Sequence, residues 1–131
     1  MSAAHRATVR VRYGETDQMG VVYHAEYLRY FEVGRTELLR ERGLSYRELE
    51  ARGVLLAVVE AGCKYHTSAR YDDVLAIETT LSERGKARVR FDYAIRRGDG
   101  ELVASGFTVL ACLGADMRPR RFPAELEAAL G

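Results

Sequence analysis

Tyr13-Gly-Glu-Thr-Asp17-Gln-Met-Gly20-Val-Val-Tyr23-His24-Ala-Glu-Tyr27-Leu-Arg-Tyr30-Phe31 changes its periodicity halfway along. Just before it, and running into Tyr13, residues 8–13 alternate. Val9, Val11 and Tyr13 fall on one face and Thr8, Arg10 and Arg12 on the other, the period of a half-buried strand. Gly14 to Gly20 reads as a turn segment. Beyond it, Tyr27, Phe31, Gly34 and Leu38 recur at i, i+4, i+7 and i+11, one stripe of a helix over residues 25–42. A glycine inside a helix costs about 1 kcal/mol against alanine, and close approach of the helix to a sheet is the compensation Gly34 implies. Gly43 suits the C-cap.

Working outward, Ser45-Tyr-Arg-Glu48 has the spacing of a capping box and opens a short helix that Gly53 ends. Four strand signals follow: residues 55–68, apolar and β-branched; 74–82, with Leu75, Ile77, Thr79 and Leu81 on one face; 87–96, with Ala87, Val89, Phe91, Tyr93 and Ile95 inward; and 102–113, apolar on both faces. Arg84-Gly-Lys86 and Gly98-Asp-Gly100 read as the turns between them. Pro123 suits the first turn of a terminal helix ending near Leu130. The pattern predicts an α+β architecture, one long helix against an antiparallel sheet of about five strands in a single domain, 1–131. One helix covers only part of such a sheet, so the extra apolar surface of 55–68 and 102–113 predicts an oligomer.

The chain has 131 residues, enough for one domain with its own core. With 20 basic and 19 acidic residues its formal charge is +1, so no global field draws it to nucleic acid or to a membrane surface. Met1-Ser-Ala-Ala-His-Arg6 has no apolar segment of a leader, and no window is long and apolar enough to span a membrane; the cytoplasm is the expected compartment. Cys63 and Cys112 sit in strand signals outside any C-x-x-C pattern and are expected as reduced thiols. There is no G-x-S-x-G elbow, P-loop or G-x-G-x-x-G, and His5, His24 and His66 lack metal-ligand spacing. No metal and no cofactor is expected.

The strand-to-helix junction remains as the place for chemistry. The first turn of a helix carries unpaired N–H groups and partial positive charge, which can stabilise a developing oxyanion. A carboxylate beside it can attack a carbonyl or activate a water. A thioester suits so small an apparatus, because thiolate leaves without much acid assistance. The residues alone leave plainer readings open. An aspartate before a helix is commonly an N-cap. His24 near the helix start reads equally as a cap or surface residue, and Tyr27 and Tyr30 read by spacing as core.

Residues 13–37, with the core T-D-x-x-G-V-V-Y-H-x-x-Y, resemble the signature of the hotdog-fold acyl-CoA thioesterases of the 4-hydroxybenzoyl-CoA thioesterase/YbgC type. Ala69-Arg-Tyr-Asp-Asp73 resembles the family's A-R-x-x-D segment, and the order of helix and strands fits over nearly the whole chain. The resemblance implies a hotdog fold, an antiparallel sheet wrapped around the long helix. It implies hydrolysis of a short, medium-chain or aromatic acyl-CoA to free acid and coenzyme A. Asp17 takes the place of the essential carboxylate, as nucleophile or general base. His24 takes the position whose backbone N–H binds the thioester carbonyl. Tyr13 lines the pocket, Gly20 allows close backbone approach, and Val21 and Tyr27 adjoin the substrate. The family works as dimers or dimers of dimers, so a homodimer or homotetramer with shared sites is implied.

Coenzyme A carries phosphates, and Arg88, Arg118 and Arg120 are the candidates to hold them, against the plainer reading of solvated charges. Asp17-Gln-Met-Gly20 keeps the spacing of the family's D-x-A-G and D-P-A-G spellings but not their letters, which bears on the acyl group more than on the carboxylate. Two other classes compete: a non-catalytic module binding acyl-CoA or an acyl-carrier protein, and a dehydratase acting on hydroxyacyl thioesters. A buried carboxylate beside the thioester gains a mere binder nothing. Release of free thiol separates hydrolysis from both.

Overall fold

The computed structural model describes residues 4–131. Strand β1 (His5–Arg10) leads through a single 3₁₀ turn (Tyr13–Glu15) to the long helix α1 (Glu26–Glu41) and the short helix α2 (Tyr46–Ala51). Strands β2 (Leu55–Tyr65), β3 (Val74–Arg84), β4 (Arg88–Arg97) and β5 (Leu102–Leu113) follow, and α3 (Ala124–Leu130) closes the chain. The strands form one antiparallel sheet in the order β1-β3-β4-β5-β2. No helix among the described residues is long and apolar enough to cross a membrane. Met1-Ser-Ala, part of the stretch read as carrying no leader, lies outside them.

Among the differences from expectation, three have a local reason. The first strand ends at Arg10, because the Glu15 carboxylate turns the chain by accepting the Arg12 N–H at 2.9 Å; Tyr13 is therefore 78% exposed instead of facing the core. The strand after Gly53 ends at Tyr65, because the N–H groups of His66 and Thr67 both turn to the Val103 carbonyl. Ser45 occupies the N-cap of α2, but its side chain makes no cap hydrogen bond, so the capping box is absent. The register sets Cys63 opposite Gly106 and Cys112 opposite Leu56, far apart along the same ladder, and both thiols are free.

The stripe of α1 lies on the sheet as its spacing requires: Tyr27, Phe31, Gly34 and Leu38 are all buried. Val89, Phe91, Tyr93 and Ile95 of β4 meet it, with Phe31 stacked on Tyr93 at 4.3 Å between ring centres. Gly34 is where the helix comes nearest. A Cβ there would run into the Thr79 hydroxyl and stand 2.8 Å from the Ile77 methyl. Arg35, one residue on, is 7% exposed with its Nε unpartnered; Glu32, at 4.0 Å, is the one carboxylate within ion-pair range of it among the described residues. Strand β2 is an edge, paired only with β5, and leaves Val58 and Val59 47% and 48% exposed.

The contact at Gly34 decides between two opposing effects of adding one methyl. Alanine is the better helix former by about 1 kcal/mol, whereas overpacking a filled site costs about 1–3 kcal/mol. The neighbours here are a strand hydroxyl and a β-branched side chain with little freedom, so Gly34→Ala should lower unfolding stability in a denaturant titration. A raised midpoint would mean that the helix stands off the sheet.

Candidate active site

Asp17 opens a tight turn. Its N–H donates to the Val21 carbonyl and its own carbonyl accepts from Gly20, both at 2.9 Å, while Thr16 and Val22 bridge behind it. The Asp17 carboxylate accepts the Met19 N–H through Oδ1 at 2.9 Å, and Oδ2 has no partner among the described residues. Asp17 is thus not the cap of α1: the N-cap is Ala25, which offers no side-chain acceptor. Gly20 has φ +79°, a left-handed conformation that side chains disfavour. The Arg70 guanidinium lies 3.7 Å from where a Cβ at Gly20 would be.

Two sets of bonds hold this turn. The loop entering β3 stitches it from one side: Val22 donates to Ala69 O at 2.8 Å, Val11 to Asp73 O at 2.9 Å, and Asp72 back to Val11 O at 3.0 Å. Tyr13 meets Tyr71 of the same loop edge-on at 5.7 Å. From the other side Glu15 acts as a hub. Its carboxylate accepts the Arg12 N–H and the Tyr30 hydroxyl, each at 2.9 Å, and the Arg12 Nε at 3.2 Å, and its carbonyl accepts the Tyr23 N–H. Tyr30 stands on α1, so the helix itself fixes the chain just before Asp17. Burial raises the Glu15 carboxyl, but the Arg12 N–H, the Tyr30 hydroxyl and the Arg12 guanidinium together outweigh it and hold the group below its ordinary value.

His24 lies in the turn that precedes α1 and is exposed. Its N–H and that of Ala25 have no acceptor among the described residues, whereas Glu26 donates to Tyr23 O. Uncapped donors at a helix start form a local positive site. Tyr27 is buried under this end, its ring 5.5 Å from Tyr65 and 5.8 Å from Tyr30; burial pushes its phenol up to about 12. Val21 is half-buried and serves the turn through its carbonyl.

The structure therefore brings Asp17, Gly20, Val21, His24, Tyr13 and Tyr27 to one end of the molecule. It does not bring Arg88, Arg118 and Arg120 there. Arg88 begins β4 opposite Ala111, while Arg118 and Arg120 fold back beside the end of β5, where Arg120 N–H donates to Cys112 O. The Asp17 turn joins the start of β3, which pairs with the end of β4. At roughly 3.3 Å per residue, Arg88–Arg97 spans about 30 Å between the two ends. No carboxylate among the described residues pairs with the guanidinium of Arg88, Arg118 or Arg120, whereas that of Arg90 is taken up by Asp92 and the Phe107 ring. Sequence reasoning missed Glu15 and Tyr30 as the hub and Arg70 beside the turn, although all three stand within the quoted segments. It also missed Tyr65, whose hydroxyl reaches the His24 carbonyl from 41 residues away.

Residues 11–130 match the family model described as the thioesterase-like superfamily. The acyl-CoA thioesterase YbgC of Haemophilus influenzae is 40% identical over 124 residues, 92% of this chain and 90% of that protein. The acyl-CoA thioester hydrolase YbgC of Escherichia coli O6:H1 is 34% identical over 124 residues, 94% of this chain and 92% of that protein. Among solved structures, a DHNA-CoA thioesterase from Staphylococcus aureus superposes with a TM-score of 0.91 at 32% identity, covering 95% of this chain and 87% of that one.

The Glu15 hub has a pH signature. A carboxyl lowered in the folded state stabilises the fold fully above its unfolded value, near 4.5, and that contribution is lost as pH falls through the lower native value. Thermal melts between pH 7 and pH 3 should show Glu15→Gln less stable than the parent at neutral pH, with the gap closing in acid. A gap constant with pH would mean that the carboxylate's charge contributes nothing.

Proposed function

The chain belongs to the thioesterase-like superfamily and is a thioester hydrolase, and from that premise we propose that the Asp17 turn and the uncapped start of α1 act together on an acyl-CoA. The observation that carries the reading is their juxtaposition: a carboxylate with one oxygen unpartnered, and two N–H groups without acceptors, among the described residues, fixed by one set of loops. The thioester carbonyl oxygen accepts from the free N–H groups of His24 and Ala25, which draws charge onto that oxygen as the carbonyl carbon is attacked. Asp17 either attacks that carbon itself, giving an acyl-aspartyl anhydride that water then opens, or takes the proton from an attacking water. In both routes the C–S bond breaks, the coenzyme leaves as thiolate and is protonated, and the free acid remains.

Tyr13, Tyr23, Tyr65 and Tyr71 stand partly exposed at this end, and Val58 and Val59 stand exposed on the β2 edge. Apolar surface of that kind on a sheet edge favours a partner strand. We therefore propose a homodimer or larger assembly of the chain. The separation of Arg88, Arg118 and Arg120 from Asp17 fits the same idea, with these arginines holding the coenzyme phosphates of a site whose Asp17 belongs to a second copy. Arg70, beside the Asp17 turn in the same chain, is a further cation available to an anionic part of the substrate.

Loss of thioester absorbance over a panel of short, long and aromatic acyl-CoAs tests the reaction. Asp17→Asn should keep the fold and lose about 10²-fold or more in turnover, the scale of a removed general base; retained turnover would remove Asp17 from the mechanism. Arg88→Ala should raise KM with little change in kcat, and sedimentation should show a dimer or larger. A fully active monomer would contradict the shared site.

A further inference from the structure

Tyr65 is the last residue of β2 and 51% exposed, yet its hydroxyl is committed: it donates to the His24 carbonyl at 2.9 Å. Its ring is packed as well, edge-on to Tyr27 at 5.5 Å and to His24 at 6.4 Å. We propose that Tyr65 is a positioning residue for thioester hydrolysis, holding the turn before α1 so that its free N–H groups face the thioester carbonyl. The inference rests on the function proposed above.

The argument is one of peptide geometry. In a trans peptide the C=O and N–H point in opposite directions. A phenol that fixes the His24 carbonyl therefore fixes the plane of the His24–Ala25 peptide and sends the Ala25 N–H the other way. Ala25 has helical torsions, φ −74° and ψ −18°, so this plane is continuous with the first turn of α1. The other restraints are backbone bonds to its neighbours: Tyr23 N–H to Glu15 O, Glu26 N–H to Tyr23 O and Leu28 N–H to Ala25 O, and Ala25 supplies no side-chain cap; among the described residues no other bond reaches the His24 carbonyl. Hydrogen bonding to a carbonyl also polarises its amide, making the attached N–H a stronger donor. Burial raises the Tyr65 phenol above its ordinary value, so it keeps its proton at neutral pH. An oxyanion donor acts only if it is already aimed when charge develops, which is why a bond remote from the reacting atoms affects rate.

Tyr65→Phe tests this, because it keeps the ring and removes only the donor. In the purified full chain, kcat should fall about tenfold, equivalent to 1.36 kcal/mol of barrier, with KM within about twofold. The backbone amide resonances of His24 and Ala25 should move in a nitrogen–proton correlation spectrum. Ser105→Ala, which removes the bond of the neighbouring His66 to Ser105, should leave kcat unchanged. If the parent hydrolyses acyl-CoA, Asp17→Asn does not, and Tyr65→Phe keeps full kcat, the inference fails alone. A rise in KM at unchanged kcat, or unmoved His24 and Ala25 resonances, would also overturn it. No turnover by the parent on any acyl-CoA would sink the hydrolase reading and this inference with it.

Discussion

Helix α1 can lie on the sheet only because two backbone positions beneath the contact carry no side chain. A Cβ at Gly34 would meet Thr79 and Ile77, and one at Gly106 would stand 2.8 Å from the Phe31 ring and run into the Gly62 carbonyl. Close packing of this kind leaves the helix little freedom to slide or rotate. The position of its first turn then follows from the contacts along its length, Phe31 on Tyr93 above all. The glycine in mid-helix is unfavourable for the helix in isolation and necessary for the helix on this sheet.

From that placement the site assembles out of three stretches. Helix α1 supplies Tyr30 to the Glu15 hub, and the turn at its start supplies the His24 and Ala25 N–H groups, which have no acceptors among the described residues. The turn before it supplies Asp17. The loop entering β3 supplies the carbonyls of Ala69 and Asp73 that hold the Asp17 segment in place. Most of these ties are backbone bonds, so they depend on the loops' shapes more than on particular side chains. Side chains join in at a few points, among them Glu15 with Tyr30 and Tyr65 with the His24 carbonyl. Such an arrangement suits a reaction that needs a carboxylate and an oxyanion donor in register.

Charge is arranged along the sheet instead of around a single cleft. The Asp17 end carries Arg70, and the opposite end carries Arg88, Arg118 and Arg120 without carboxylate partners among the described residues. A ligand as long as a coenzyme thioester, bound in the proposed assembly, would lie between a reactive end from one copy and cations from another. The exposed β2 edge and its valines are one place where a single chain leaves apolar surface unsatisfied.

By itself the sequence determined the order and type of nearly every element, because apolar spacing reports which face of a helix or strand is buried. Tyr27, Phe31, Gly34 and Leu38 as one stripe, and the inward residues of β4, are legible from period alone. In the segment from Tyr13 to Phe31, spacing alone left Asp17 and His24 open as caps or surface residues, and only the resemblance to a family signature singled them out as candidates. Element ends were less legible: Tyr13 leaves the strand pattern because a carboxylate two residues on turns the chain. Tertiary structure alone decided what joins residues distant in sequence. That Tyr65 would reach the His24 carbonyl, that Arg70 would lie against Gly20, and that Arg88 would fall at the end of β4 remote from the Asp17 turn depend on strand order and register. Periodicity carries no information about which strand lies beside which, and so none about those contacts.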